Sequence, residues 1–484
     1  MAKITILGLG PGRREHLTLE AWQILSTADE VYLRTHHHPL IDALPGQPTY
    51  HSFDDLYDAA VDFESLYEAV TSRIIALGQR PQGVIYAVPG HPMIGEQTTR
   101  LIHQQAKSKA IPVEIIAGLS FIEPAVTALG IDGMEGLQIF DATDIAQRYH
   151  PPLSPDGPAL IAQLYSQPVA SDVKLTLMNQ YPDDYGVTLV HAAGTADEVI
   201  EHLPLYEIDR SSQIAHLTTL YVPPMDQPAS FMAFQDVMAH LRAPEGCPWD
   251  REQTHQSLRS GLLEETYEVL EALDADDPQL LKEELGDLLL HILFHSQIAV
   301  EDGEFYFTEV IQHIVAKLIR RHPHVWGETT VEGARHVEQN WEAIKAAEQQ
   351  EKAAKGLHAR KSQLDGVPRG LPALLQALRL QERAAGVGFD WSEIGPVIAK
   401  VREELTEVEE TPVSDEFGDL FFAIVNWARW HNIDPESALR ETNARFRRRF
   451  EYIEARARAN GHSMKEMTLA EMDALWDAAK SEGL

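Results

Sequence analysis

The sequence predicts a multidomain protein in which an α/β domain is followed by two all-α helical modules. Three observations predict this fold class: a length of 484 residues, a change of pattern near residue 222, and a phrase repeated in the second half. Because domains rarely exceed about 250 residues, a chain of this length divides into at least two. Apolar residues make up 44% of the sequence, which is the composition of folded domains and not of disordered chains.

The first 224 residues alternate short strand-like runs with helical segments. Runs such as KITILGLG, GVIYAVPG and VEIIAG are rich in β-branched residues and end at glycine. Between them lie segments whose apolar residues recur at helical spacing, for example QTTRLIHQQAKSK. This alternation predicts an α/β domain, residues 1–224, with largely parallel sheets. Residues 221–230 contain three prolines and no periodicity, and we predict the linker there.

The second half is predicted to be helical almost throughout and to contain a duplicated module. Residues 283–289 read EELGDLL, and residues 415–421 read DEFGDLF. A charged stretch at 345–372 separates the two copies, so we assign the modules to 225–352 and 353–484. A phrase repeated in one type of structural context indicates duplication of a structural unit.

The charge of the chain excludes one class of partner. The formal net charge of −34 argues against a nucleic-acid polymer, because phosphate backbones are bound by surplus Lys and Arg. A small phosphorylated substrate remains compatible, since carboxylates can bind the divalent cations that hold phosphates. We expect a cytoplasmic protein with no membrane partner. Cys247 is the single cysteine, the N-terminus lacks a signal-peptide pattern, and no apolar run approaches the roughly 18 residues of a membrane span.

Each helical module carries four acidic residues whose spacing brings them together. Two acids three positions apart on one predicted helix are followed by two more, three apart, on the next. They are Glu265, Glu268, Glu284 and Asp287 in the first module and Glu404, Glu407, Glu416 and Asp419 in the second. Both pairs of a module lie at equal distances from the intervening turn, so an antiparallel hairpin makes the four carboxylates converge. Converging carboxylates repel one another unless cations bind, and oxygen-only ligands favour Mg²⁺ or Mn²⁺.

These acids have two other interpretations. A solvated acidic helix face explains a single pair of this kind, but it does not explain two symmetric quartets. A di-iron carboxylate bundle is the alternative metal site, because Asp287 and His291 lie four positions apart. The second module has Ala423 where the first has His291, and Trp427 where the first has His295. The repeat therefore argues against the di-iron alternative.

Basic pairs follow the carboxylates in both modules. Lys317 and Arg321 lie four positions apart on one predicted helix face, as do Arg445 and Arg449. Beside a metal cluster such pairs are suited to binding phosphate oxygens. Surface charges on an amphipathic helix are the alternative interpretation.

Long stretches of both modules match a known family. They include GCPWDREQTHQSL, LLEETYEVLEA and EELGDLLLHILFHSQ, and later GLPALLQALRLQERAAGVGFDW and EFGDLFFAIVNWAR. From about residue 231 to 482 the chain resembles the MazG family of nucleoside triphosphate pyrophosphohydrolases, in a tandem form. The resemblance implies an all-α homodimer that uses Mg²⁺ to convert NTP or dNTP to the monophosphate and pyrophosphate. It implies that all eight acids are metal ligands and that the second module carries catalysis.

The second module departs from the family pattern in two ways. Its two acidic pairs are separated by a shorter gap, and Arg445 stands where the family is expected to have a lysine, which changes the donor geometry. The catalytic residues implied by the resemblance are Glu404, Glu407, Glu416, Asp419, Arg445 and Arg449.

The first 224 residues resemble a second family. ITILGLGPG, GVIYAVPGHPMIGEQTT, VEIIAGLSFIEPAVTALGI and VKLTLMNQYPDDYGVTLVHAAGT occur in an order that resembles the tetrapyrrole (corrin/porphyrin) methylases. The resemblance implies two α/β lobes with S-adenosylmethionine bound between them, largely by backbone groups. The implied cofactor-site residues are Pro11, Gly90, His91, Pro92, Ile94, Ser120, Met178 and Ala193. The family commonly has Gly-Asp-Pro at positions 90–92, so acid-dependent substrate contacts are not expected here.

Three functions follow as hypotheses. We expect a Mg²⁺-dependent nucleoside triphosphate pyrophosphohydrolase fused to a methylase-like domain. One alternative is an S-adenosylmethionine-dependent methyltransferase whose helical half only dimerises it or senses nucleotides. The other is nucleotide sensing by the helical modules without catalysis.

Overall fold

The chain forms two compact units, Met1–Arg251 and Glu252–Leu484. The computed structural model describes residues 2–59, 62–354, 362–461 and 463–484. The first unit contains two β-sheets with helices, and the regular elements described in the second unit are helices, which confirms the predicted fold class. None of the helices in the described ranges combines the length and the apolar composition needed to cross a lipid bilayer.

The first sheet is entirely parallel, as predicted, and has the strand order β3-β2-β4-β1-β5. Its strands are β1 (Ile4–Gly8), β2 (Glu30–Leu33), β3 (Thr49–Ser52), β4 (Val84–Val88) and β5 (Val113–Ile116). The helices of this lobe are α1 (Leu19–Thr27), α2 (Asp54–Ala59), α3 (Phe63–Gly78), α4 (Gln97–Ser108) and α5 (Ile122–Leu129). Ile4 and Ile6 pack into an apolar cluster with α3 and α4, whereas Leu7 packs into another cluster with α1. Alternate residues of β1 thus face opposite covered sides, which explains its continuous apolar run.

The second sheet is mostly antiparallel, so the prediction of largely parallel sheets is wrong for this lobe. Its order is β6-β7-β10-β8-β9, and of these neighbouring pairs β6–β7 alone is parallel. The strands are β6 (Gln138–Asp141), β7 (Ala159–Ala162), β8 (Gly186–His191), β9 (Val199–Pro204) and β10 (Thr218–Val222), with helices α6 (Ala142–Ala146) and α7 (Gln167–Leu177). Residues 192–198, which join β8 to β9, are too few for the crossover of a dozen or so residues that parallel strands require.

The segment predicted as the linker is tied to the first unit at both ends. Its first two residues belong to β10. At its other end, the Asp156 carboxylate accepts hydrogen bonds from the backbone nitrogens of Ala229 (2.7 Å) and Ser230 (3.2 Å). Ser230 also caps helix α8 (Phe231–Arg242), which is followed by α9 (Pro248–Glu252).

In the helical unit, the predicted acidic residues lie on two helical hairpins. Its helices are α10 (Arg259–Ala275), α11 (Pro278–Glu301), α12 (Phe307–Arg321), α13 (Pro323–Trp326), α14 (Ala334–Ala354), α15 (Ala373–Ala385), α16 (Ile394–Glu410), α17 (Ser414–Trp430), α18 (Pro435–Ala459) and α19 (Leu469–Ser481). The hairpins are α10–α11 and α16–α17, and their turns lie at 276–277 and 411–413. The middle of the predicted dividing stretch, residues 355–361, lies outside the described residues.

Local chemistry fixes the turn of the first hairpin. Asp276 adopts the left-handed conformation (φ +53°), which ends α10. The next residue, Asp277, caps α11 by accepting hydrogen bonds from the backbone nitrogens of Gln279 (2.9 Å) and Leu280 (3.2 Å). Pro278 occupies the first helical turn, where its missing N–H costs nothing. The register between the two helices is therefore set at the turn.

Replacing Gly8 by Ala is expected to destabilise the first unit by about 1–3 kcal/mol. A Cβ atom at this position would lie 2.5 Å from the Gly90 carbonyl oxygen and 2.8 Å from the Gly118 nitrogen. Denaturant unfolding of the full chain measures the change in free energy. Gly186→Ala is the matched control, because a Cβ there would have no atom within 4 Å. Equal stabilities of the two variants would contradict this close approach of three backbone segments.

Candidate functional site

The first hairpin brings its predicted acidic residues together. One carboxylate oxygen from each of Glu265, Glu268 and Glu284 lies within 4.8 Å of the others. Burial, the hydrogen bond with Glu268 and the nearby negative charges, including that of Asp287, raise the pKa of Glu265. Burial and the charges of Glu268 and Asp287 likewise raise the pKa of Glu284. The four acids therefore act on one another electrostatically, although three of them form the tight cluster.

The second hairpin builds a similar cluster with one deeply buried member. Oxygens of Glu404, Glu416 and Asp419 lie within 4.8 Å of one another. Glu404 is only 5% exposed, and its Oε2 atom has no hydrogen-bond partner among the described residues. Glu407 is exposed, and its hydrogen bond with Glu404, followed by desolvation, raises the pKa of Glu407. A buried carboxylate oxygen without a partner is unfavourable unless a cation or a donor reaches it.

Lys400 contacts the second cluster and was not singled out from the sequence. Its Nζ atom lies 2.7 Å from Oε1 of Glu404 and 2.8 Å from Oε1 of Glu403. These contacts, with Glu403 the larger influence, raise the pKa of Lys400, so the ammonium stays charged. The signal available in the sequence was a lysine four positions before a glutamate on one helix. One oxygen of the buried Glu404 is therefore already neutralised by a cation of the protein itself.

In the first module, a histidine and not a lysine lies near Glu265, the glutamate that corresponds to Glu404. His291, on the opposite helix of the hairpin, has its Nε2 atom 3.9 Å from Oε1 of Glu265. Gly261 occupies the position that corresponds to Lys400, four residues before the first glutamate. A Cβ on Gly261 would lie only 2.8 Å from Cε1 of His291, so a glycine is needed beside the ring. The modules thus differ in which helix supplies the basic group.

The basic residues predicted in the first module do not share one environment. Arg321 donates to Glu348 at 2.7 Å, and Arg320 contacts the same carboxylate at 2.8 Å. Hydrogen bonds from Arg321, the larger influence, and from Arg320 lower the pKa of Glu348 to about 2. The Arg321 guanidinium also lies 5.4 Å from the centre of the Trp341 ring. Lys317 is half-buried on the same helix.

The basic residues predicted in the second module lie on α18. Arg445 donates to the Thr442 hydroxyl at 2.7 Å and lies 3.7 Å from Glu441, and its side chain is 43% exposed. Arg449 donates from Nε to the backbone oxygen of Leu484 at 2.7 Å. Arg445 therefore makes contacts within its own helix, whereas Arg449 is anchored to a distant part of the chain.

Three loops after parallel strands meet in the first unit. The backbones of Gly10 and Gly90 exchange hydrogen bonds of 3.2 and 2.9 Å, which joins the loop containing Pro11 to that containing Gly90. The predicted residues His91, Pro92 and Ile94 continue the second of these loops. Gly90 has φ +64°, and a Cβ there would meet a single atom, the Leu119 carbonyl oxygen, at 4.0 Å. Its Cα therefore faces open space at the carboxyl ends of the strands.

Ser120 belongs to the third loop and is buried. Its hydroxyl donates to Glu123 at 2.6 Å, and its backbone nitrogen donates to the same oxygen at 2.8 Å. Burial acts to raise the pKa of Glu123, but the hydrogen bonds from Ser120 bring it below its ordinary value. The Ser120 side chain is thus a structural donor that fixes the start of α5.

The second lobe supplies a further loop next to these. Arg13 donates to the backbone oxygen of Thr195 at 2.7 Å, which places the loop of Ala193 beside the first strand loop. A Cβ on Gly194 would lie 2.8 Å from the Pro124 side chain, so this loop also packs on α5. Met178, the remaining predicted residue, follows α7 with 38% exposure.

His38 supports the first strand loop and was not predicted as a site residue. Its Nε2 donates to the carbonyl oxygen of Gly10 at 2.9 Å, while its Nδ1 accepts from the backbone nitrogen of Leu40 at 3.3 Å. These two contacts fix the neutral tautomer, and burial lowers the pKa of His38. The sequence offered only a run of three histidines after a strand, which does not reveal which ring is buried.

Glu348→Gln is expected to destabilise the second unit by about 1.5–3 kcal/mol near neutral pH, because a charged acceptor of two guanidinium groups is lost. The pKa of Glu348 falls from 4.5 to about 2 on folding, so its stabilisation is present above pH 4.5 and lost as pH falls through about 2. Denaturant unfolding across this range should show the gap between variant and wild type closing.

Glu328→Gln, at an exposed glutamate, is the control for that substitution. A gap between Glu348→Gln and wild type that stays constant across the same pH range would contradict the ion pair.

Comparison with known proteins identifies two regions. A family model for the MazG nucleotide pyrophosphohydrolase domain matches residues 253–326, and one for the tetrapyrrole (corrin/porphyrin) methylases matches residues 3–209. The interpretation of the second module as a further copy rests on the sequence repeat and its hairpin.

Two relatives and one solved structure show how far the similarity extends. The YabN protein of Bacillus subtilis (strain 168) is 42% identical over 496 residues, covering 99% of this chain and 98% of that protein. The nucleoside triphosphate pyrophosphohydrolase/pyrophosphatase MazG of Thermotoga maritima is 42% identical over 254 residues, 52% of this chain and 95% of that protein. Uroporphyrin-III C-methyltransferase from Thermus thermophilus aligns with 46% of this chain and 92% of its own, at 19% identity and a TM-score of 0.37. The T. maritima relative shows that the chain belongs to the MazG nucleotide pyrophosphohydrolase family, and the second family model shows that it carries a tetrapyrrole methylase domain in its N-terminal half.

Proposed function

We propose that the chain hydrolyses nucleoside triphosphates, ribo or deoxy, to the monophosphate and pyrophosphate at the carboxylate cluster of the second module. The observation that carries this proposal is the convergence of Glu404, Glu416 and Asp419 around a buried carboxylate oxygen without a partner. The T. maritima relative, named as a pyrophosphohydrolase, supports the same reaction class. A helical scaffold that only dimerises the protein would not require this arrangement of acids.

The donor set fits a divalent metal ion. All of its atoms are carboxylate oxygens, which suit Mg²⁺ and Mn²⁺. Glu404, Glu416 and Asp419 would hold the ion in the second module, with Glu407 beside them. The corresponding set in the first module is Glu265, Glu268, Glu284 and Asp287. Such an ion, when bound, neutralises phosphate oxygens and acidifies water.

Other residues of the second module have the remaining roles in the proposed reaction. Glu407 is exposed, and its raised pKa suits it to accept a proton from the attacking water. The water oxygen bonds to the α-phosphorus, the bond to the oxygen bridging the α- and β-phosphates breaks, and pyrophosphate leaves with that oxygen. Arg445 binds the departing phosphates, and Arg449 contributes guanidinium donors other than the Nε held by Leu484. Lys400 holds the buried Glu404 in place.

Glu416→Gln is expected to lower kcat by about 100-fold or more, because an amide replaces a charged ligand of the cluster. Turnover of a panel of ribo- and deoxynucleoside triphosphates with Mg²⁺ measures the loss. Glu409→Gln is the matched control, since Glu409 is an exposed glutamate on α16 outside the cluster. Unchanged turnover in Glu416→Gln would remove the second module from the reaction.

A second function is proposed for the first unit, which is binding of S-adenosylmethionine between its lobes. The open side of Gly90 among three backbone loops supports it, because a cofactor can approach the chain closely there. Pro11, Gly90, His91, Pro92, Ile94, Ser120, Met178 and Ala193 would line the site. The cofactor supplies a methyl group to a nucleophile when bound. A methyltransferase whose helical half dimerises it or senses nucleotides is the alternative function for the whole chain.

Gly90→Ala is expected to weaken S-adenosylmethionine binding at least about tenfold, because its Cβ would project into the open space. Isothermal titration calorimetry on the full chain measures the affinity. Gly130→Ala is the control with equal backbone strain: its φ is +67° against +64° for Gly90, and its Cβ would have no atom within 4 Å. If both variants bind as wild type does, the cofactor site lies elsewhere; if wild type does not bind, the domain has another role.

We also propose that the protein is a homodimer. Exposed apolar residues at positions 311, 315, 318 and 319 form a stripe on α12, each 40–47% exposed. A second copy of this chain would bury such a stripe, which supports a homodimer. The single cysteine and the negative charge support a cytoplasmic enzyme that has neither a nucleic-acid polymer nor a membrane as partner.

A further inference from the structure

The carboxylate cluster of the first module has an imidazole nitrogen at one end, whereas the second module has Ala423 at the corresponding position. His291 lies on α11 one turn after Asp287. Its Nε2 is 3.9 Å from Oε1 of Glu265, which is also a member of the cluster. Two donors each about 2.1 Å from one metal ion are at most about 4.2 Å apart, so both atoms can reach the same ion. The negative charge of Asp287 acts on both residues.

Burial of His291 distinguishes it from an incidental surface histidine. The residue is 9% exposed, and its Nδ1 has no hydrogen-bond partner in the described ranges. Burying an imidazole whose Nδ1 makes no hydrogen bond is unfavourable, and an apolar residue would fill a purely structural position better. Gly261 leaves room for the ring, because any Cβ there would lie 2.8 Å from Cε1 of His291.

The second module lacks each part of this arrangement. Ala423 stands at the position of His291, and Lys400 stands at the position of Gly261. The Lys400 ammonium lies 2.7 Å from Glu404 and, being charged, offers no lone pair to a metal. The cluster of the second module therefore consists of carboxylate oxygens with the Lys400 ammonium beside them.

We propose that the first module binds a first-row transition-metal cation through His291 together with Glu265 and its neighbouring carboxylates, whereas the second module uses oxygen ligands alone. Imidazole nitrogen suits Fe²⁺, Ni²⁺, Cu²⁺ and Zn²⁺ better than Mg²⁺, so the two sites differ in metal preference, and Mn²⁺ serves as the spectroscopic probe. This inference rests on the proposed metal-binding role of the carboxylate clusters. It does not depend on which module carries turnover.

Pulsed electron paramagnetic resonance of the untagged full chain loaded with Mn²⁺ tests this directly. Nitrogen-14 modulation of the spin echo reports an imidazole bound to Mn²⁺, whereas carboxylate ligands give none. The modulation is expected in wild type and absent in His291→Gln, and excess Mg²⁺ should remove Mn²⁺ from the first site at least tenfold less readily than from the second. His295→Gln is the matched control on the same helix, because His295 stacks on His255 and its Nδ1 lies 2.8 Å from that of His255. It should retain the modulation.

A second variant covers the case in which His291→Gln fails to fold. Gly261→Ala keeps the imidazole but pushes it aside, so the modulation should fall although every ligand is present. Absence of nitrogen modulation in wild type, or its persistence in His291→Gln, would overturn the inference. Turnover of nucleoside triphosphates is measured on the same samples. Turnover without nitrogen modulation would contradict only the nitrogen-containing metal site. Nitrogen modulation without turnover would contradict only the proposed reaction.

Discussion

The helical unit depends on one constraint. In each hairpin, negatively charged carboxylates from two helices are held close together. In both hairpins, three acids from two helices place oxygens within 4.8 Å of one another. Burial is the largest cause of the raised pKa of Glu265 and of Glu284, and repulsion between the carboxylates adds to it. The hydrogen bond with Glu404 is the largest cause of the raised pKa of Glu407, and repulsion again adds to it. A fold that keeps such a cluster gains from it only when a cation offsets the repulsion. The proposed cation binding would therefore stabilise the helical unit.

The two hairpins place different nitrogen groups beside their carboxylates. In the second, Lys400 provides a permanent positive charge at the buried Glu404, from the same helix. In the first, His291 approaches Glu265 from the other helix, and Gly261 provides the space for it. A duplicated module can exchange its lysine or histidine for another residue and keep its carboxylates, because these side chains and the acids lie at different sequence positions. The proposed division of roles, with turnover in one module and a different cation in the other, rests on this difference between the two hairpins.

Much of this arrangement could be predicted from the sequence, because it depends on local periodicity. Acids three apart on each helix, placed symmetrically about 276–277 and 411–413, predict both the hairpins and their convergent faces. The contact of Arg321 with Glu348 could not be predicted, because rotamers and tertiary packing choose among several partners, whereas the spacing of Lys400 and Glu404 on one helix was a signal in the sequence. The antiparallel character of the second sheet was missed for a related reason. Strand-like runs show where strands lie, whereas their direction depends on connections such as 192–198.

The most direct test of the central claim follows the oxygen of water during turnover. The chain is incubated with Mg²⁺ and a nucleoside triphosphate in water enriched in oxygen-18, and the products are analysed by mass spectrometry. Attack at the α-phosphorus predicts monophosphate and pyrophosphate, with the label in the monophosphate alone. Diphosphate with labelled inorganic phosphate, or label in the pyrophosphate, would contradict the account.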